Sequence, residues 1–178
     1  MKDFNALYFF VEGPDDKVFI ERIIFPQIRK KFDYVATIPY KCMNLEKIDN
    51  FIKSINCMKS TYIFFTDFDY SHCITEKKNR IKATLKHIDE NSIIVVVAEI
   101  ESWFLAGFDE NKIKKLNIKP YQNTDSITKE QFNKLIPRKI NSRIIFIEEI
   151  LESFSCNLAM TKNISFKYFM GKYKSKLF

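Results

Sequence analysis

Cysteine is sparse and unpatterned in this 178-residue chain: Cys42, Cys57, Cys73 and Cys156 form no Cys-x-x-Cys pair. That argues against a zinc site built from thiols. With no secretory leader in view, the expectation is reduced, mostly buried thiols in a cytoplasmic protein. Long apolar runs are missing as well. The longest aliphatic stretch, Ile93 to Ala98, is a strand's length and too short to span a bilayer, so no membrane partner is expected. The chain carries no Walker motif, which excludes nucleotide-driven work by a P-loop of its own. Internal repeats and low-complexity linkers are absent too, and at this length a single domain is the simplest organisation.

What is present is a folding composition. Apolar residues make up 46% of the chain and phenylalanine alone supplies 18 positions, which suits a packed core and argues against disorder. The formal net charge of +7 is uneven. Lysine and arginine outnumber carboxylates between Asp109 and Arg143, and from Thr161 onward Lys162, Lys167, Lys172, Lys174 and Lys176 meet no acid at all. A basic C-terminal half suits a polyanionic partner, and a solvated lysine-rich surface explains the same pattern.

Hydrophobic periodicity predicts alternation of strands and helices. Ala6–Glu12 reads as a strand, followed by a helix capped by Asp15 or Asp16 that carries Phe19, Ile20, Ile23 and Ile24 inward and is kinked or ended by Pro26. Tyr34–Tyr40 reads as the second strand. A helix over Asn44–Asn56 follows, with Leu45, Ile48, Phe51, Ile52 and Ile55 inward, then a third strand over Tyr62–Thr66. Thr75–Asp89 reads as a polar-faced helix and Ile93–Ala98 as the fourth strand. Helices of this length between strands imply right-handed crossovers and a mainly parallel sheet covered on both faces. Beyond Glu101 the pattern is helical: 102–107, 110–116, 129–136, 142–154 and 163–174. The expectation is therefore an α/β, Rossmann-like domain of about four strands over residues 1–107 with a helical extension over 108–178.

The chemistry-bearing feature is a split acidic signature. Val11-Glu12-Gly13-Pro14-Asp15-Asp16 follows the first strand, and Phe65-Thr66-Asp67-Phe68-Asp69 ends the third. Carboxylates at the C-terminal ends of two strands of one sheet point into the crevice where open α/β folds carry out their chemistry. Crowded carboxylates repel one another unless a cation sits between them, and hard oxygen ligands of this kind suit Mg²⁺ or Mn²⁺. Strand alternation lets Asp67 and Asp69 face one side.

A strand ending in Glu-Gly with Asp four residues after the Glu, then a later strand ending in Asp-x-Asp, resembles the Toprim domain of topoisomerases, bacterial primases, ribosomal RNA maturases and the OLD (overcoming lysogenisation defect) nucleases. The likeness spans Ala6 to about Glu101. The segment Glu99-Ile100-Glu101-Ser102-Trp103 further resembles the Glu-x-Trp helix of small stand-alone Toprim-like proteins, and Ser165-Phe166-Lys167-Tyr168-Phe169 their closing helix. The resemblance implies that Glu12 is the acid/base or metal-binding glutamate and that Asp67 and Asp69 are metal ligands. It implies further that Asp16 and Glu101 complete a two-metal arrangement for phosphodiester hydrolysis of DNA or RNA. A defence role beside a separate ATPase partner is implied in the same way. The chain departs from the larger Toprim enzymes: no Gly follows the Asp-x-Asp, and no topoisomerase tyrosine region or primase zinc domain fits. What remains is a nuclease.

Each residue also has a plainer explanation. Gly13 permits a tight strand-to-helix turn, Asp15 and Asp16 favour a helix start, and His72 reads as an exposed loop histidine. Trp103 reads as a packing anchor rather than a base-stacking platform. Lys167 and Lys172 either contact nucleic-acid phosphate or form a solvated helix face. Two functional alternatives stay open: a small-molecule phosphohydrolase using Asp67 as nucleophile, and a non-catalytic module that binds nucleic acid or a partner protein.

Overall fold

In the computed structural model, which describes residues 4–69, 71–140 and 142–177, the first half is a parallel α/β sheet unit. Strand β1 (Ala6–Val11) is followed by a helix of changing pitch. It begins as α1 (Pro14–Phe19), widens into a π-helical turn over Ile20–Ile24 and closes as α2 (Phe25–Ile28). The change of pitch explains Pro26. Proline offers no N–H to an α-helical ladder, and the wide turn just before it lets the helix continue instead of ending. Strand β2 (Tyr34–Pro39), helix α3 (Leu45–Cys57), strand β3 (Thr61–Asp67), helix α4 (Ile74–Thr84), a 3₁₀ turn over Glu90–Ser92 and strand β4 (Ile93–Val96) follow.

The strand order is β2-β1-β3-β4, all parallel. The register aligns Val11 with Pro39 and Phe10 with Phe64, so the strands end abreast. On one face of β1, Phe9 packs with Phe25 and Phe65 at ring separations of 5.8 and 6.1 Å. On the other, Phe10 joins Ile48, Ile52 and Ile55 of α3, with Tyr62, Phe64, Leu85 and Ile88.

Several local expectations change. Helix α4 stops at Thr84, yet Leu85 and Ile88 remain buried on either side of the turn that follows. Leu45 and Phe51, expected inward, are exposed at 54% and 41%. The first helix is capped by Gly13, not by Asp15 or Asp16. Three of the four free cysteines, Cys42, Cys57 and Cys73, are exposed rather than buried.

The chain divides into two compact units, one running to Val95 and the other spanning Val96–Lys176. The second is helical: α5 (Ile100–Gly107), α6 (Glu110–Lys115), α7 (Lys129–Lys134), α8 (Arg143–Glu152), α9 (Cys156–Lys162) and α10 (Ile164–Leu177). Its core is built on Trp103, which has no exposed surface. The indole stacks on Phe169 at 5.7 Å and meets Phe166 edge-on at 5.0 Å. Its Nε1–H donates to Ser165 Oγ at 2.8 Å, and Ser165 donates to Asn163 Oδ1 at 2.8 Å. Asn163 in turn donates to Ser102 and Thr124 hydroxyls, so the buried polar atoms are satisfied as a connected network. Trp103 is thus a packing anchor, and the segments around Trp103 and Ser165 are joined to each other directly. Gly107 is required by close approach, since a Cβ there would lie 2.3 Å from the Phe154 ring.

Candidate functional site

The crest of the sheet explains itself from register. Because β1, β2 and β3 end abreast, the residues just beyond the aligned pairs (Glu12, Tyr40 and Thr66) are neighbours across the three strands. Their side chains meet on one atom. Glu12 Oε1 accepts hydrogen bonds from the Tyr40 hydroxyl at 3.2 Å, the Thr66 hydroxyl at 3.0 Å and the Asp67 backbone N–H at 2.9 Å. All three bonds fall on one carboxylate oxygen, which fixes the side chain and leaves Oε2 as the atom that can take a ligand. Glu12 and Thr66 line a cavity of about 330 Å³ together with Lys41 and Lys77.

Tyr40 and Thr66 were not singled out by sequence, and both are integral to the crest. The single Tyr40 proton is shared between Glu12 and the Phe65 carbonyl, the latter at 2.8 Å, and the ring stacks on Phe64 with centroids 4.5 Å apart. Burial first, and then the Glu12 charge, push its hydroxyl far above the ordinary phenol range, so it serves as a neutral donor at any working pH. The signal that identifies it is the parallel order itself, which sets the last residue of one strand beside the last residue of the next.

The other predicted residues are distributed differently. Asp67 ends β3; its backbone holds Glu12, and its Oδ1 is shut off from solvent. Asp16 is buried and its Oδ2 accepts from the Gly13 N–H at 3.2 Å, closing the first turn of α1. Its charge also bears on Tyr40, after that of Glu12.

Asp69 departs from the expected alternation. Strand β3 stops at Asp67, and Asp69 adopts a left-handed backbone with φ of 46°, a conformation that aspartate tolerates better than most residues. Its carboxylate turns outward to an ion pair with Lys77. His72 is exposed and bonds Glu76, as a loop histidine does.

Glu101 lies in the second unit, on the first turn of α5, with its side chain 3% exposed. Arg143 meets it at 2.6 Å, while also bonding Asn133 and lying 4.9 Å over the Phe132 ring. Burial raises the Glu101 carboxyl above its usual range, against the opposing pull of the guanidinium. Glu99 accepts the Lys129 backbone N–H. Lys167 is exposed on α10, and the Lys172 ammonium lies 5.5 and 5.6 Å from the Tyr168 and Tyr173 rings.

Among the described residues no three His, Cys, Asp or Glu side chains are grouped as a ready-made metal cage. The donor set at the crest nonetheless suits a hard divalent cation. Mg²⁺ commonly takes one or two carboxylates and completes its shell with water and phosphate oxygens, and Glu12 with Asp67 supplies that number from adjacent strand ends. Comparison with protein-family models, curated proteins and solved structures returns no match. No described helix is long and apolar enough to cross a membrane.

Proposed function

We infer that the chain is a Mg²⁺- or Mn²⁺-dependent hydrolase of nucleic-acid phosphodiesters, working in the cytoplasm, with Glu12 and Asp67 at its centre. The observation that carries this reading is the convergence of three donors on Glu12 Oε1 at the C-terminal crest of a parallel sheet, beside a largely apolar cavity to which Lys41 and Lys77 contribute. An acid fixed by neutral donors keeps its charge unneutralised and its second oxygen presented, as a cation ligand or a proton acceptor requires.

Glu12 and Asp67 would hold the ion, and Asp16 and Asp69 flank them on the same two chain segments. When bound, the ion lowers the pKa of a coordinated water and offsets charge on the phosphate. Tyr40 and Thr66 keep the Glu12 carboxylate oriented throughout, so no rearrangement of the acid is needed during reaction. Lys41 and Lys77 supply positive charge along the cavity wall for a polyanion. The resemblance to stand-alone Toprim-like proteins supports a defence role with a separate ATPase partner. In that scheme Lys167 and Lys172 would contact the nucleic-acid backbone.

The deciding experiment incubates plasmid DNA, single-stranded DNA and total tRNA with the protein in Mg²⁺ or Mn²⁺, beside Glu12→Gln and Asp67→Asn. Cleavage by the wild type that is lost in both variants and in EDTA establishes the reading. Activity confined to small phosphate esters, with Asp67→Asn alone inactive, would transfer the chain to the phosphohydrolases. Nucleic-acid binding untouched by either substitution, with no cleavage, would make it a binding module.

A further inference from the structure

Beside the Glu12 cavity lies a second one, of about 280 Å³, lined by Asp69, Ser71, Lys77, Arg80, Ile81 and Thr84. Lys77, Ile81 and Thr84 line both, so the two cavities share a wall. Ser71 is 7% exposed, and among the described residues its buried Oγ has no hydrogen-bond partner. A hydroxyl withdrawn from water without a partner is costly, and a site that keeps one is poised for a ligand that accepts its proton.

The surrounding groups define that ligand. The Lys77 side chain is only 13% exposed, and its ammonium carries three donors, of which Asp69 engages one. The Arg80 guanidinium bonds Glu76 and is 58% exposed, at the mouth. Thr84 donates inward to the Ile81 carbonyl at 2.9 Å, so its oxygen remains an acceptor wall rather than a donor. Arg80 is matched by Glu76 and Lys77 by Asp69, so what the site offers an anion is the remaining N–H donors of Lys77 and the Ser71 hydroxyl.

We propose that the Ser71–Lys77 cavity binds a phosphate of the nucleic-acid backbone, next to the one hydrolysed at the Glu12 crest. On binding, Ser71 turns about χ1 so that Oγ donates to one phosphate oxygen, Lys77 supplies further donors, and Arg80 closes the outer side. The identification of the anion as a neighbouring backbone phosphate rests on the hydrolase reading. The anion site itself rests on Ser71 and Lys77.

The test follows amide resonances of residues 71–80 during titration with inorganic phosphate in EDTA, against a chloride control. Wild type should saturate. Ser71→Ala should weaken binding about fivefold and Lys77→Met about tenfold or more, while Lys77→Arg retains it. Ser71→Ala removes one atom and leaves the Lys77–Asp69 pair in place, so its effect is not one of misfolding. Competition by a short oligothymidine, equally weakened in Ser71→Ala, would identify the backbone phosphate as the physiological ligand.

Absence of saturation, or wild-type affinity in Ser71→Ala and Lys77→Met, overturns the site. Cleavage assays are scored separately. Phosphate saturation without cleavage of any nucleic acid retires the hydrolase and leaves the anion site standing. Cleavage with an unchanged KM in Ser71→Ala and no phosphate saturation does the reverse.

Discussion

Glu12 directly follows a strand of the sheet unit and Glu101 sits in the first turn of α5 in the helical unit, and the two glutamates are held in opposite ways. Glu12 is held by two hydroxyls and a backbone N–H, none of which carries charge. Glu101 is held by a guanidinium. Neutral donors orient a carboxylate and leave its charge for something else to balance. An arginine balances it on the spot, and a carboxylate so matched has little left for a metal ion. What surrounds an acid, rather than where in the chain it stands, separates an acid organised for chemistry from one organised for packing.

The largest effect should come from Glu12→Gln. The amide keeps the size of the side chain and removes its charge and proton acceptor, so cleavage should fall by about 10²–10⁴-fold with the melting temperature little changed. Glu101→Gln should leave the cleavage rate within a few-fold. Equal losses in the two variants, with both folded, would break the contrast between them.

Next in size is Tyr40→Phe, which retains the Phe64 stack and deletes the donor to Glu12 and to the Phe65 carbonyl. The lost bonds should cost about 1–2 kcal/mol of stability. Loosening Glu12 should lower the cleavage rate by about five- to tenfold. Chemical denaturation and initial rates on the same samples check both. An unchanged rate would mean that Thr66 and the Asp67 N–H suffice to position Glu12.

Much of this crest was legible from the sequence because parallel strands align their ends. An apolar run closing in Glu-Gly and another closing in Asp-x-Asp suffice to bring Glu12 beside Asp67. Asp69 was not legible, since alternation holds only while the strand lasts and a left-handed residue ends it. Glu101 was not legible either, because Arg143 lies 42 positions away and its approach depends on how α8 packs against α5. Helix α9 escaped notice because its seven residues, Cys156–Lys162, show only two turns of weak periodicity behind the Ser155 cap. Exposure of Leu45 and Phe51 was beyond periodicity, which shows that a face is apolar without showing what covers it.

A smaller effect concerns the pH dependence of the Glu101 unit. Burial raises the folded Glu101 carboxyl above its unfolded value, so the folded state holds more protons in the window above pH 4.5. Stability of the Val96–Lys176 unit should therefore decline as pH rises from 4.5 through the raised folded value, and level off above it. Glu101→Gln should flatten that slope. Melting curves across this window, with and without the substitution, measure it. A slope unchanged in the variant would assign it to another group.

The smallest effect expected is from Gly13→Ala, and it bears on Glu12 most directly. Gly13 has φ of −139° and ψ of −176°, extended backbone that any residue adopts, so the expected tight turn does not explain the glycine. An added Cβ would meet only Asp16 Oδ2, at an ordinary 3.5 Å. Stability should stay within about 0.5 kcal/mol of wild type. The rate should stay within about twofold if the substrate reaches Glu12 from the Lys41–Lys77 side of the cavity, because the new methyl then stands outside its path. A stable variant that has lost cleavage would instead mean that the Gly13 backbone itself meets the phosphate. That result would move the approach of the substrate to the start of α1, and with it the role of Asp16.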